Sequence, residues 1–312
     1  MIWDAWRKVR SRGMPPAGEE TGGMRPENLV WVFGTARTGS SWLSAIMGEI
    51  GGCSRWHEPL VGHLFGNLYY ERAGHRSDDE HFILGDRHRE LWLGALRKFV
   101  LDSAAARFPE VAGNDGRYLI IKEPQGSMGA PLLMEALPES RMILLVRDPR
   151  DVVASNLDAH KKGTWTADLM RKGGKEKPTS LAESRPDAFV KGQARRYVRD
   201  VGNAKKAYDR HMRHKILVRY EDLRADTLQT MKRIYWALEI PVEEAELARA
   251  IEKNSWENIP EEEKGKGKKR RKAKPGGWRE DLTARQVEIV EKITEPLLDE
   301  FYPHTANTRG AL

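Results

Sequence analysis

Residues 29–42 read LVWVFGTARTGSSW, and this stretch decides the fold. Its first five residues, Leu29–Phe33, are all apolar, as in a parallel strand that is buried on both faces. Gly34 and Gly39 follow with the spacing of a phosphate-binding loop, and a helical pattern begins directly after them. Glycines let backbone N–H groups approach an anion, and a helix N-terminus adds a favourable dipole. The stretch therefore predicts a strand, an anion-binding loop and a helix; a purely structural glycine turn is the alternative.

The loop differs from that of a nucleoside triphosphatase at one position. Ser40 follows the second glycine, where such a loop carries lysine, and the nearest cation is Arg37 inside the loop. In those enzymes the lysine contacts the β- and γ-phosphates. Its absence counts against a P-loop kinase-like phosphotransferase acting on a small molecule, which we keep as an alternative.

Apolar runs similar to the first one recur along the chain, separated by longer helical patterns. The runs are Tyr118–Lys122, Arg141–Val146 and Lys215–Tyr220. The helical patterns cover Ser41–Ile50, Arg89–Arg107, Pro149–Leu157, Ala188–Arg213, Leu223–Leu238 and a segment from an N-cap at Thr283 to about Phe301. This order predicts an α/β fold with three α/β/α layers and a central parallel sheet, like that of the P-loop nucleoside triphosphatases.

The net charge of +7 comes from one short segment. The 312 residues include 53 Lys and Arg against 46 Asp and Glu, and residues 264–274 (KGKGKKRRKAK) contain eight of the basic ones. Without that run, 45 basic residues face 46 acidic ones. Such local charge fits a small anionic ligand or a solvated loop better than nucleic acid or an anionic membrane. We expect no nucleic-acid partner; binding of nucleic acid through Lys264–Lys274 is the second alternative.

The rest of the sequence predicts how the chain divides into domains and where in the cell the protein lies. Residues 1–26 lack the apolar core of a secretory signal and are predicted to form a flexible leader. Residues 27–312 are predicted to form a single domain with a basic loop at about 260–280. The single cysteine, Cys53, excludes a disulfide framework and fits a cytoplasmic location. No apolar run approaches the roughly 20 residues that span a bilayer, so no transmembrane segment is expected.

A second basic position follows another apolar run. Arg147 comes directly after a predicted strand, Pro149 begins a helix, and Ser155 lies eight residues after Arg147. In an open parallel sheet, ligands bind at the carboxyl ends of the strands, so Arg147 is placed to meet an anionic group. An ion pair with Asp148 or Asp151 is the alternative.

Together, these segments resemble the sulfotransferases that use 3′-phosphoadenosine 5′-phosphosulfate (PAPS). Residues 37–42 (RTGSSW) are similar to the 5′-phosphosulfate loop of that family, and Arg147 with Ser155 to its 3′-phosphate motif. Residues 271–279 (RKAKPGGWR) resemble its basic pair before Gly-x-Trp-(Lys/Arg), and residues 220–223 its Tyr-Glu-Asp-Leu element. The resemblance implies transfer of a sulfonate group from PAPS to an acceptor hydroxyl, or less favourably an amine, leaving adenosine 3′,5′-bisphosphate (PAP). The family requires no metal.

The resemblance assigns donor-binding roles to the matching residues. The 5′-phosphate would be held by the backbone amides of Thr38, Gly39, Ser40, Ser41 and Trp42 and the two serine hydroxyls. Arg37 would contact the sulfonate, while Trp42 would stack on the adenine with Tyr220 nearby. The 3′-phosphate would be held by Arg147, Ser155, Arg271 and Lys272. The basic loop departs from the family at Ala273, Pro275 and Gly277.

The chain lacks the histidine that acts as general base in cytosolic members of that family. There the histidine follows a strand-end lysine by two positions; Lys122 matches the lysine, but Pro124 stands two residues later. The resemblance then makes Lys122 an electrostatic stabiliser beside Arg37. Aromatic and charged residues in segments 56–90 and 158–187 are compatible with a small-molecule, glycan or lipid acceptor.

Another residue must therefore accept the proton. Glu58, in RWHEPL, matches the position of a base glutamate in other branches of the family and is the first candidate. Glu123 is the second, and His57 and His63 are further options. A structural ion pair between Glu58 and Arg55 is the alternative.

Overall fold

The central layer of the protein is a parallel β-sheet. The computed structural model describes residues 23–72, 79–114, 116–161, 163–165, 181–265, 267–268, 270 and 272–303. Within these ranges the strands are β1 (Leu29–Phe33), β2 (Cys53–His57), β3 (Tyr118–Lys122), β4 (Arg141–Val146) and β5 (Lys215–Arg219). They pair in the order β2-β3-β1-β4-β5, and every neighbouring pair is parallel. The predicted central parallel sheet is confirmed.

Helices cover both faces of the sheet. They are α1 (Ser40–Met47), α2 (Val61–Gly66), α3 (Arg89–Arg107), α4 (Ala130–Ala136), α5 (Pro149–Ala159), α6 (Leu181–Ser184), α7 (Pro186–Arg210), α8 (Tyr220–Ala225), α9 (Thr227–Ala237), α10 (Glu244–Lys253), α11 (Trp278–Asp281) and α12 (Ala284–Phe301). A π-helical segment covers Asn67–Arg72, and short 3₁₀ turns lie at Pro26–Asn28, Asp86–His88, Pro124–Gly129 and Glu261–Glu263. Among the helices described here, none is both long and apolar enough to cross a membrane.

The side chains of β1 alternate between two cores. Leu29, Trp31 and Phe33 pack in the core that includes residues of α3 and α7. Val30 and Val32 pack on the opposite face, in the core that includes residues of α1, α9 and α10. All five side chains are fully buried, and each such burial contributes about 1.5–3 kcal/mol to stability relative to exposure. Burial on both faces explains why this strand is a continuous apolar run.

Strand β2 was not predicted as a strand. It lies at the edge of the sheet and pairs only with β3 among the described strands, so Arg55 and His57 remain exposed. Its sequence, CSRWH, lacks the continuous apolar pattern by which the other strands were recognised. Its pairing places His57 opposite Lys122 and brings the segment after β2 to the carboxyl edge of the sheet.

The predicted helix over residues 223–238 is in fact two helices. Tyr220 begins α8 instead of ending the preceding strand, and α9 starts anew after Asp226, whose side chain accepts a hydrogen bond from the Gln229 amide. An internal N-cap of this kind starts a new helix although the apolar period continues through it.

The predicted ends of the domain differ in outcome. At the C-terminal helix, Thr283 and Gln286 form the capping box that the sequence predicted. At the other end, Met24 is buried in the core, so the fold begins before residue 27. Residues 1–22 of the predicted leader lie outside the described residues.

Candidate functional site

A cavity of about 370 Å³ lies beside the loops that follow β1 and β4. The structure brings most of the predicted donor-binding residues to its wall: Arg37, Gly39, Ser40, Ser41, Trp42, Arg147, Ser155, Tyr220 and Lys272. Thr38 is fully buried and does not line the cavity, and Arg271 lies outside the described residues. Segments far apart in sequence therefore converge on one site.

The loop between β1 and α1 has the conformation of an anion-binding loop. Gly39 has a φ of 91°, and a Cβ added there would lie 2.6 Å from the ring of Tyr220. Only glycine fits this left-handed conformation and close approach without strain. The hydroxyl of Thr38 donates to the carbonyl oxygen of Thr35 (2.8 Å), so its side chain stabilises the turn from within. The helix that begins at Ser40 points its N-terminal amides toward the cavity.

Aromatic rings form one wall of the cavity. Trp42 and Tyr220 meet edge to face with centroids 6.3 Å apart, and the Arg224 guanidinium lies 5.5 Å from the Trp42 centroid. The indole N–H of Trp42 donates to the carbonyl oxygen of Asn254 (2.9 Å), which fixes the ring. Trp256 completes this wall and was missed in the sequence, where a lone tryptophan in a polar segment carries no motif.

Arg147 lies at the base of the cavity with part of its donor capacity unused. One terminal nitrogen donates to the carbonyl oxygen of Arg37 (3.1 Å), and the guanidinium lies 4.4 Å from the Tyr220 centroid. Its Nε has no hydrogen-bond partner among the described groups, and the nearest Asp151 oxygen is 3.7 Å away. Of the two ion pairs that were the alternative, the one with Asp151 is therefore present at that distance, whereas the Asp148 carboxylate pairs with Arg150. A buried guanidinium with an unpaired N–H favours an anionic ligand.

Arg37 and Ser155 are in direct contact, although separate roles were predicted for them. Arg37 has a φ of 75°, and its Nε donates to the Ser155 hydroxyl at 2.9 Å. The guanidinium also lies 5.7 Å from the centroid of Trp165. This hydrogen bond places the guanidinium of Arg37, on the loop after β1, beside Ser155 on α5.

Two aspartates of α5 anchor the basic loop at residues 260–280. Asp151 is buried and accepts hydrogen bonds from the amides of Gly276 (2.7 Å) and Trp278 (2.9 Å). Asp158, two helical turns later, accepts from the amide of Gly267 (3.0 Å). From the sequence, Asp151 was predicted only as an alternative ion-pair partner of Arg147, which lies four residues earlier.

We expect Asp151→Asn to accelerate hydrogen exchange at the amides of Gly276 and Trp278 by about 2- to 10-fold. An asparagine keeps one acceptor oxygen but turns an N–H group toward the second amide, and a hydrogen bond contributes about 0.5–1.5 kcal/mol. Exchange can be followed by mass spectrometry of peptides that cover this segment. The matched control, Asp158→Asn, should accelerate hydrogen exchange at the Gly267 amide alone. Unchanged exchange at both Gly276 and Trp278 in the Asp151→Asn protein would contradict the anchoring role.

Four of the five cations of the basic run that the structure describes pair with acidic side chains; Lys268 does not. Each of the described ion pairs joins a cation of the run to a nearby carboxylate: Lys264 with Glu261, Arg270 with Glu263, Lys272 with Glu280 and Asp281, and Lys274 with Glu280. Lys272 still lines the cavity, with N–O distances of 2.9 Å to Glu280 and 3.1 Å to Asp281. The positive field of the run is therefore weaker than its sequence indicates.

A second charged cluster lies at the carboxyl ends of β2 and β3. The Lys122 ammonium donates to one oxygen of Glu58, and the Gln125 side-chain amide donates to the other at 3.0 Å. Lys122 is almost fully buried, whereas the side chain of Glu58 is 23% exposed. The alternative of a pair with Arg55 is wrong, because Lys122 takes that place from the neighbouring strand. None of Glu58, Lys122 or Gln125 lines the cavity.

The environment of Glu58 favours its ionised form. Burial raises the pKa of this carboxyl, but the hydrogen bond and the charge of Lys122 outweigh that cost and hold the pKa below the ordinary value. His57 adds a smaller effect in the same direction. Glu58 is therefore a carboxylate at neutral pH.

The other candidates for the general base differ sharply in exposure. Glu123 is fully buried, and its carboxylate accepts hydrogen bonds from the amides of Leu60 and Gly62. Burial raises the pKa of Glu123 to about 7, against the opposing effect of those two amides. His57 and His63 are exposed.

Ser127 connects the two clusters. Its hydroxyl accepts a hydrogen bond from the amide of Gly34 (2.9 Å) and donates to the carbonyl oxygen of Glu123 (3.2 Å). The first residue of the loop after β1 and the end of β3 are thereby fixed to one another. Across the described residues, no group of three His, Cys, Asp or Glu side chains is arranged to hold a metal ion.

Comparisons with known proteins agree with this architecture. The sequence matches the family model described as "Sulfotransferase domain" over residues 27–302. The fold is similar to that of sulfotransferase STF9 from Mycobacterium avium (TM-score 0.54, 14% identity, covering 89% of this chain and 78% of that one). It is also similar to mouse sulfotransferase SULT7A1 in complex with PAP (TM-score 0.51, 15% identity, covering 88% and 86%). No curated protein matches the sequence. Because the family model spans most of the chain, the protein belongs to the sulfotransferase domain family.

Proposed function

We propose that the protein transfers a sulfonate group from PAPS to a hydroxyl of a small-molecule, glycan or lipid acceptor. The observation that carries this proposal is the convergence of the β1 loop, Arg147, Ser155 and Lys272 on one cavity. PAPS has a 5′-phosphosulfate and a 3′-phosphate, so its site needs positive charge at two separate places. The SULT7A1 structure, similar in fold, contains PAP, which supports the same donor here.

In this proposal the donor extends across the cavity. The amides of residues 38–42 hold the 5′-phosphate, and Trp42 and Tyr220 border the adenine. Arg147, Ser155 and Lys272 hold the 3′-phosphate, and we extend this role to Arg271, which adjoins Lys272 in the chain. The unpaired Nε of Arg147 and its bidentate geometry suit a dianionic phosphate.

The chemistry requires proton removal and charge stabilisation. Glu58 accepts the proton of the acceptor hydroxyl while the acceptor oxygen forms a bond to sulfur in line with the leaving oxygen. The bond between sulfur and the bridging oxygen breaks, and the electron pair stays with PAP. Lys122 and Arg37 stabilise the negative charge on the sulfonate and the bridging oxygen. His57 lowers the pKa of Glu58 and is assigned a supporting electrostatic role.

Two observations weaken the alternatives. The β1 loop carries no lysine after its second glycine, which disfavours a P-loop kinase-like phosphotransferase. Four of the five cations of the 264–274 run that have described side chains pair with acidic neighbours, Lys268 being the exception, which disfavours nucleic-acid binding through that run.

Calorimetry with PAP in the presence of EDTA tests the donor assignment. We expect PAP to bind without metal and adenosine 5′-monophosphate to bind much more weakly, because it lacks the 3′-phosphate. Transfer of labelled sulfonate from PAPS to a panel of hydroxyl acceptors then tests the activity. Magnesium-dependent binding of ATP with no binding of PAP would support the kinase instead. Salt-dependent binding of random-sequence DNA with no PAP binding would support the nucleic-acid alternative.

A further inference from the structure

The turn that carries Glu58 has an unfavourable backbone conformation. Glu58 and Leu60 both lie in the left-handed region, with φ of 51° and 64°. For a residue other than glycine, that conformation costs roughly 1–2 kcal/mol. Such residues persist only where the surrounding structure imposes the conformation, and they are concentrated at functional sites. Something must therefore hold residues 58–62 in place.

The end of β3 provides that hold through two consecutive residues. The carbonyl oxygen of Lys122 accepts a hydrogen bond from the Glu58 amide at 2.9 Å. The two oxygens of Glu123 accept from the amides of Leu60 (3.0 Å) and Gly62 (3.1 Å). Three hydrogen bonds within five residues fix the turn to the strand that also carries the Lys122 side chain.

The packing around Glu123 leaves its carboxylate a single position. The residue is fully buried, and a Cβ added at Gly126 would lie 2.0 Å from one of its oxygens. Gly62 is equally confined, since a Cβ there would lie 2.1 Å from the carbonyl oxygen of Gly126. Glu123 therefore cannot turn toward an acceptor, and both of its oxygens already accept hydrogen bonds.

We propose that Glu123 is a positioning residue, which holds the strained turn 58–62 so that Glu58 meets Lys122 and the acceptor hydroxyl. The proposal rests on the proposed role of Glu58 as general base. A base must lie within hydrogen-bond reach of the proton that it removes, and a displacement of about 1 Å can cost roughly 100-fold in rate. Glu123 then acts on catalysis through Glu58 and contacts no reacting atom.

Glu123→Gln is the first test. The substitution keeps the volume but turns an N–H group toward one of the two amide donors, which removes a hydrogen bond. We expect kcat to fall roughly 10- to 100-fold while the Kd for PAP changes less than about twofold. Glu246→Gln is the matched control: Glu246 accepts a hydrogen bond from the Gly51 amide at 2.6 Å, before β2 begins, and its loss should leave kcat unchanged.

The decisive measurement is a double-mutant cycle with Glu58. If Glu123 acts through Glu58, Glu123→Gln should lower kcat little further in a protein that already carries Glu58→Gln. An equal loss of kcat in both backgrounds would overturn the positioning role. Full activity of Glu58→Gln alone would instead reject Glu58 as the base, and with it the foundation of this inference.

A conservative variant covers the case in which Glu123→Gln does not fold, as judged by circular dichroism. Glu123→Asp keeps the charge but is one methylene shorter, so it cannot reach both amides. We expect a loss of kcat with unchanged PAP binding. Undiminished kcat in a folded Glu123→Asp protein would overturn the proposal.

Discussion

Arg147→Ala is expected to weaken PAP binding by roughly 10- to 100-fold, because hydrogen bonds to charged groups contribute about 1.5–3 kcal/mol. The guanidinium lies at the base of the cavity, is only 12% exposed, and keeps an Nε with no partner among the described groups. It is therefore already desolvated and oriented before a phosphate arrives, so little ordering is needed on binding. Isothermal titration calorimetry with PAP measures the change directly.

Two comparisons show whether the loss concerns the 3′-phosphate. Adenosine 5′-monophosphate should bind the wild type and the Arg147→Ala protein with similar affinity, because it lacks the group that Arg147 contacts. Arg233→Ala removes an exposed arginine from α9 and changes the net charge equally, yet should leave PAP binding unchanged. Unaltered PAP affinity in Arg147→Ala would reject the donor-site assignment.

Glu58→Gln is expected to lower kcat by roughly 100- to 10,000-fold while the Kd for PAP stays unchanged. Glutamine keeps the shape and can still contact Lys122 and Gln125, but it cannot accept a proton. Because Glu58 does not line the donor cavity, binding and turnover should separate. Single-turnover transfer of labelled sulfonate, together with calorimetry, measures the two quantities. Full activity would transfer the role of the base to a histidine.

The ionisation of Glu58 can be tested without any acceptor. Lys122 holds the pKa of Glu58 below its ordinary value of about 4.3, so the carboxylate forms as the pH rises through a lower midpoint than usual. In Lys122→Gln the pKa should rise, because burial then acts without the opposing charge. Carbon-detected NMR titration of the glutamate carboxyls in both proteins measures the two midpoints. An unchanged midpoint would show that the ammonium does not govern this group.

The strands that are buried on both faces of the sheet could be predicted from the sequence. Strands β1, β3 and β4 are buried on both faces, so their limits coincide with the apolar runs. Strand β2 was missed because its sequence, CSRWH, is not an apolar run, whereas β5 at the other edge of the sheet contains one and was predicted. The break at Asp226 was missed for a different reason: the apolar period of a helix continues across an N-cap that only local hydrogen bonding reveals.

In the site, too, residues at the ends of strands could be predicted from the sequence, whereas contacts between distant segments could not. Loop residues at strand ends converge because parallel strands present their carboxyl ends at one edge, and this was predictable. The partner of Glu58 was sought nearby in sequence, at Arg55, but it comes from β3 because the sheet register places His57 opposite Lys122. Glu123 was predicted as the second candidate for the general base, and only its burial and its packing against Gly62 and Gly126 show that it is confined.

Helix α5 holds the basic loop at two positions. It follows Arg147, contains Ser155, and through Asp151 and Asp158 holds the loop at two points about 10 Å apart along the helix axis. These two points lie at Gly267 and Gly276, so they hold the two ends of the interval 268–275. On the proposed donor assignment, substitutions confined to this interval would alter the affinity for the 3′-phosphate while Asp151 and Asp158 keep both ends of the interval on α5.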